Sequence, residues 1–362
     1  MSWSFRLFRI AGTDVKVHVT FLFFLGWLTV NAYREGGKVA AVVSAAFLLA
    51  VFACILLHEF GHILMARRFG VRTPDVILLP IGGMARLERI PEEPRQELLI
   101  ALAGPVVTLA IAGALYAGLR LNGTAVDLRH LWQLVEGSPV VALLRLNVIL
   151  LVFNLIPAFP MDGGRVLRAL LAMRMGLPRA TRVAASIGQF LALPLGMWGF
   201  FNNNIFLVLI AFFVFLGAGA EASAVETRFA GRGLRVAEMM MTRFRTIPIH
   251  ARLELAVQML LEGDQREFPV VDNEGNLEGL LSREALIKGL SQNGPQATVG
   301  ETMVPKVPVL KPEVEFETAL DVLRRSRQPA LPVIDQEGRL VGLLSLENVS
   351  ELLLVRKAVR KG

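Results

Sequence analysis

The sequence predicts two parts: a polytopic α-helical membrane domain with a small membrane-associated β-sheet, then a soluble α+β module built from a tandem repeat. Three observations support that division. Only 19% of the 362 residues are charged and 54% are hydrophobic, whereas soluble globular proteins carry about 25% charged residues. Uncharged runs of membrane length recur through the first two thirds of the chain. Past Arg235 the chain becomes charged and repeats itself at a constant offset of 63 residues.

The uncharged runs give the spans in order. Residues 17–33 carry no charge beyond His18, and 39–57 are uncharged for 19 residues. The run 98–119 adds 22, and 146–161 adds 16, extending back past Arg145 to Pro139. About 20 helical residues cross a bilayer core, so the 38 uncharged residues of 183–220 must form a hairpin. Asn202, Asn203 and Asn204 are its turn. Six spans result.

Lys and Arg set the orientation. With the N-terminus inside, the cytoplasmic segments hold Arg6, Arg9, Lys16, the arginines of 67–95, those of 165–182, and Arg228, Arg232 and Arg235. The opposite loops hold Arg34, Lys38, Arg120 and Arg129, with Arg145 near a helix end. A multi-pass protein of a plasma or inner membrane is expected, with both termini cytoplasmic. No cleavable signal peptide is expected, because the first apolar run has no small-residue cleavage site after it. The net charge of +7 is read as this orientation bias and not as a nucleic-acid surface. Cys54, the single cysteine, cannot close an internal disulfide.

In the soluble part, Val236-Ala-Glu returns as Val299-Gly-Glu, and Phe268-Pro-Val-Val-Asp272 as Leu331-Pro-Val-Ile-Asp335. Gly279-Leu-Leu-Ser282 returns as Gly342-Leu-Leu-Ser345. Each copy reads as a strand, a helix (253–261 and 316–324), two strands joined by Asn-Glu-Gly or Gln-Glu-Gly, and a second helix. This resembles a tandem pair of cystathionine-beta-synthase (CBS) domains. The expected boundaries are a membrane domain at 1–228, a linker at 229–235, copies at 236–298 and 299–356, and a basic tail at 357–362. The resemblance implies a module that folds as one body, serves as a regulatory or homodimer contact, and in many families binds adenine nucleotide. Nucleotide-binding members place an Asp three residues after the Ser or Thr of Gly-x-x-Ser/Thr, where it holds the ribose. Here Ala285 and Asn348 stand there, which leaves two readings open: a dimerising or docking module without ligand, or a nucleotide site beside Ser345 and Asn348 and not in the first copy.

The chemistry lies in the membrane half. His58-Glu59-Phe60-Gly61-His62 ends the second span. On a helix the two imidazoles are one turn apart on one face and can share a zinc ion, with Glu59 on an adjacent face of the same turn. Ionisable groups at the end of an apolar span are costly unless they pair, bind an ion or meet water. A hydrolytic zinc site wants a third ligand and an open position. Asp162, in Asn154-Leu-Ile-Pro157-Ala-Phe-Pro160-Met-Asp162-Gly163-Gly164, is the candidate, since it follows an apolar run on the same side of the membrane. The two prolines break that helix, and the glycines permit a tight turn next to the carboxylate.

His58-Glu59-x-x-His62, followed by Asn154-x-x-Pro157-x-x-x-x-Asp162-Gly163-Gly164, resembles the site-2 protease family of intramembrane zinc metalloproteases. The resemblance covers residues 3–228, and a CBS tail matches a subgroup of that family. It implies that His58, His62 and Asp162 ligate zinc, that Glu59 is the catalytic carboxylate, and that Asn154 faces the substrate or its oxyanion. The implied substrate is a single-pass transmembrane regulatory protein in the bilayer. Residues 76–89, short apolar stretches around Gly82-Gly83, read as a membrane-dipping hairpin or sheet or as a plain cytoplasmic connector; the resemblance implies the sheet, whose edge could pair with an unwound substrate. The family often has an Asn after Gly-Pro in the following span; Gly104-Pro105 here leads to Thr108, which is not assigned a catalytic role. The competing expectation is a cation transporter gated by the CBS pair, with the same His, Glu and Asp cluster as an ion site. His18, His130 and His250 are expected to carry no metal.

Overall fold

The computed structural model describes residues 3–80, 82–86, 93–124 and 138–359, so His130 lies outside the described residues. The chain divides into two compact units, Met1–Val225 and Glu226–Gly362.

The first unit opens with strands β1 (Ser4–Ile10) and β2 (Thr13–His18), then the helical run α1 (Val19–Arg68). Strands β3 (Asp75–Leu79) and β4 (Gly82–Arg86) follow, then α2 (Pro94–Leu121) and α3 (Pro139–Asn154). The unit closes with α4 (Asp162–Met175), α5 (Leu177–Phe201) and α6 (Ile205–Ala230). The four strands form one sheet in the order β1-β2-β3-β4. Here β2 and β3 are parallel, and the other two pairs are antiparallel. The apolar face of the sheet, with Val15, Val17, Val76 and Leu78, packs on Phe21, Phe52, Phe60 and Ile63 of α1.

The 50 residues of α1 cannot be one straight rod. Phe21 and Phe52 touch edge to face, with ring centroids 4.3 Å apart, whereas 31 residues of straight helix would separate them by about 46 Å. The reversal falls at Gly37, whose φ of 70° is a left-handed conformation that a side chain resists. Among the described residues four helices, α1, α2, α5 and α6, are long and apolar enough to cross a membrane, and α3 is a shorter apolar helix. The hairpin turn expected at Asn202–Asn204 separates α5 from α6, with Leu207 N–H donating to Asn204 Oδ1.

In the second unit the repeats interlock. The elements are α7 (Val236–Met239), β5 (Ile247–Pro248), α8 (Leu253–Glu262), β6 (Glu267–Val271), β7 (Leu277–Ser282) and α9 (Arg283–Asn293). After a 3-10 turn at Val299–Glu301 come β8 (Val304–Pro305), α10 (Phe316–Ser326), β9 (Ala330–Ile334), β10 (Leu340–Ser345) and α11 (Leu346–Val359). The opening of each copy sits in the other copy. Val236 N–H donates to Val314 O, and its equivalent Val299 N–H donates to Ala251 O. Met241 bridges Leu343, and its equivalent Val304 pairs with Leu280. Accordingly Val236 and Met239 are buried with Leu331 and Phe316, while Val299 is buried with Leu253 and Phe268.

The repeated turns use one device twice. Asp272 Oδ1 accepts from Glu274 N–H and Asn276 N–H, and Asp335 Oδ1 accepts from Glu337 N–H and Arg339 N–H. The Asn276 side-chain amide, followed by its backbone N–H, holds the Asp272 carboxyl below the usual carboxylate range. A carboxyl with a depressed folded-state pKa stabilises the fold at neutral pH, and that contribution fades as pH falls through the folded value. Asp272→Ala should therefore lower the melting temperature of the second unit at pH 7, and thermal unfolding should show the gap from the parent shrinking below about pH 4.

Candidate active site

His58 and His62 lie one turn apart on the second half of α1 and are each 5% exposed. Their rings meet edge to face, with centroids 4.8 Å apart. Asp162 comes from the first turn of α4, brought back by the break that Pro157 and Pro160 impose after α3. That return is tight: a β-carbon at Gly163 would strike the carbonyl oxygens of Leu155 and Ile156, and one at Gly164 would strike Ala158. Glycine is required at both positions for the carboxylate to arrive.

The three side chains converge. Asp162 Oδ2 lies 3.2 Å from His58 Nε2 and 3.1 Å from His62 Nε2, and the two Nε2 atoms are 3.1 Å apart. Four donors held tetrahedrally at zinc bond lengths of about 2.0–2.1 Å sit about 3.3 Å from one another. The spacing therefore suits a small tetrahedral ion. The tautomers agree with it. His62 Nδ1 is 2.7 Å from the Ile100 carbonyl oxygen, which only accepts, so Nδ1 carries the proton and Nε2 presents a lone pair. His58 Nδ1 is 2.8 Å from Thr108 Oγ1, and that hydroxyl is in turn 3.4 Å from Gly104 O. Both imidazoles are thus oriented by α2, as metal-bound histidines usually are by an outer partner. The donor set, His2Asp, fits zinc.

One face of α2 serves the site. Ile100 and Thr108 hold the imidazoles, and Gly104 between them leaves the room the rings occupy, since a β-carbon there would collide with His62 Nε2 and His58 Cε1. Thr108, which the sequence left without a role, is fully buried against His58. Its signal was Gly104-Pro105-x-x-Thr108, one helical repeat that aligns glycine and hydroxyl on a single face.

A cleft of about 460 Å3 opens beside the cluster and is lined by Glu59, Asn154, Arg165, Phe153, Pro160 and Gly83 among others. Arg165 Nη1 stands 4.0 Å from Asp162 Oδ1. Among the described residues β4 is an edge of its sheet, and it abuts Glu59: a β-carbon at Gly83 would come 2.8 Å from Glu59 Cγ. The structure therefore brings Glu59 and Asn154 to the wall that His58, His62 and Asp162 also line. His18 instead caps α1, accepting from Thr20 N–H, and His250 is exposed in the second unit. Ser345 and Asn348 line a separate cleft of about 690 Å3 in the second unit. There Ser345 Oγ caps α11 by accepting from Asn348 N–H and lies 2.5 Å from Asn348 Oδ1.

Two substitutions on α2 test the geometry. Gly104→Ala should push the imidazoles apart and abolish metal retention while the helices remain, as read by metal content and circular dichroism of the purified protein. Thr108→Val should keep the site but weaken zinc binding about 10- to 100-fold, measured by competition with a chelator.

Residues 46–195 match the model of Peptidase family M50, and 236–292 and 299–355 each match the CBS domain. Zinc metalloprotease MJ0392 of Methanocaldococcus jannaschii is 31% identical over 350 residues, 96% of this chain and 96% of that protein. Among solved structures, a site-2 protease from Methanocaldococcus jannaschii is similar at 37% identity and a TM-score of 0.45, over 61% of this chain and 95% of that one. The CBS-pair protein CBSX2 from Arabidopsis thaliana is similar at 25% identity and a TM-score of 0.32, over 35% of this chain and 98% of that one. Similarity to a zinc metalloprotease along nearly the whole chain leaves the transporter reading unfavoured. The chain belongs to peptidase family M50, the site-2 proteases, and is a zinc metalloprotease of that family with a tandem CBS pair.

Proposed function

We propose that this metalloprotease cuts a peptide bond within or near a transmembrane helix of a membrane-bound regulatory protein, with His58, His62 and Asp162 holding one zinc ion. The observation that carries the reading is the approach of three ligand atoms to within 3.2 Å of one another, on the wall of a cleft shared with Glu59 and Asn154. When bound, zinc supplies a water acidic enough to react near neutral pH and polarises the scissile carbonyl. Glu59 takes the proton of the attacking water and returns it to the leaving amine. The Asn154 side-chain amide donates to the oxygen of the developing tetrahedral centre. A helix hides its own carbonyls, so the substrate must unwind first. The free edge of β4, against Glu59, offers main-chain partners to the extended segment.

The same reading assigns six spans: the two halves of α1, then α2, α3, α5 and α6. Both termini then face the cytoplasm of a plasma or inner membrane, the side favoured by the arginine bias. The protease domain occupies 1–228 and a linker 229–235, followed by CBS copies at 236–298 and 299–356 and a tail at 357–362. The CBS pair serves as a homodimer contact and as an adenine-nucleotide sensor at the cleft beside Ser345 and Asn348.

Cleavage of a detergent-solubilised single-span substrate by the parent and by Glu59→Gln, with zinc measured in both, tests the chemistry. The variant should keep about one zinc per chain and lose at least about 100-fold in kcat; absence of zinc from both proteins would sink the ligand assignment. For the CBS cleft, AMP at 100 times its Kd should stabilise the second unit by about 2.7 kcal/mol, and Asn348→Ala should remove that shift. A melting temperature indifferent to millimolar ATP, ADP and AMP would leave the module a docking surface.

A further inference from the structure

Glu97 and Arg168 are the most deeply buried charges among the described residues of the first unit, 0% and 1% exposed, and the reaction above gives neither a task. Arg168 Nε donates to Glu97 Oε1 at 2.7 Å, and Nη2 donates to the same oxygen. Its Nη1 donates to Glu221 Oε1 at 2.5 Å, and the guanidinium lies 5.0 Å from the Phe159 ring centroid. One side chain of α4 therefore grips α2, α6 and the turn that delivers Asp162.

The two ends of the pair lead directly to the metal ligands. Glu97 heads the face of α2 that continues through Ile100, Gly104 and Thr108, the residues that orient and accommodate His62 and His58. Arg168 lies six residues after Asp162 on α4, and Phe159 three residues before it. We infer that Glu97 and Arg168 are positioning residues for the metal centre: their ion pair sets the register of α4 against α2, and so places Asp162 opposite the two imidazoles. The inference rests on the reading of His58, His62 and Asp162 as zinc ligands.

Stability alone does not require this arrangement, because a buried ion pair can often be replaced by well-packed apolar residues without loss. What the ion pair adds is direction. A guanidinium fork on one carboxylate oxygen has a narrow geometric range, whereas apolar contacts tolerate sliding. The ligand atoms converge within 3.2 Å, and a slip of one residue along a helix moves a side chain by about 1.5 Å. Such a slip takes Asp162 out of reach of the imidazoles.

The test uses the full chain in detergent and two variants. In the double variant Glu97→Leu with Arg168→Met the charges are replaced by an apolar pair, and the half-buried Glu221 can turn to water. In Arg168→Lys the charge is kept and the fork removed. Zinc affinity by chelator competition, kcat and KM on the single-span substrate, and thermal unfolding are read for each. Both variants should unfold cooperatively, with zinc bound at least about tenfold more weakly in the double variant, the size of effect known for outer-shell partners. The kcat should fall with KM little changed, and Arg168→Lys should lie between the double variant and the parent. Zinc affinity and kcat equal to the parent's in the folded double variant would overturn the inference and leave the ligand assignment intact. A parent without zinc would overturn both.

Discussion

Polar groups at the end of an apolar helix must be satisfied where water is scarce, and the protease domain is arranged around that constraint. His58 and His62 give up most of their contact with solvent, so each ring nitrogen needs a partner. Helix α2 supplies the outer partners, a backbone carbonyl and a hydroxyl, and α4 supplies the carboxylate on the inner side. The break after α3 follows from the same need, because only a chain that turns back sharply can bring Asp162 to the imidazoles. The glycines at 163 and 164 are consequences of that approach, as is the glycine at 104.

The sheet answers a different demand. Its apolar face covers the second half of α1, the half that carries the histidines, and its order leaves β4 at an edge beside Glu59. An edge strand exposes unpaired main-chain groups and is normally a liability. Under the function proposed above, the edge beside Glu59 is where an extended peptide would be held, which a helix-only bundle lacks.

Much of this was legible in the sequence because it is local. The His-Glu-x-x-His face follows from helical period alone, and Arg34, Glu35 and Lys38 interrupt the apolar run where the chain reverses at Gly37. Asp162 was legible because prolines and glycines crowd around it. Ile100 was not, since its contribution is a backbone carbonyl that any residue type could supply. The pairing of Glu97 with Arg168 was hidden as well: the two are 71 positions apart, and nothing local distinguishes either from the charges that flank the spans. In the soluble unit the 63-residue offset located the duplication but not the packing, because alignment reports which residues are equivalent and not which ones touch.

The exchange of opening segments between the two CBS copies bears on how such a module can be divided. Val236 and Val299 each complete the core of the other copy, so the unit that packs is not the unit that repeats. A polypeptide cut between the copies separates each half from a buried part of itself. A single copy made alone could close its core by accepting the same segment from a second molecule, as in a swapped dimer. The covalent link between the copies replaces an encounter between two chains with one that is always present, and damage to either copy reaches the core of its neighbour.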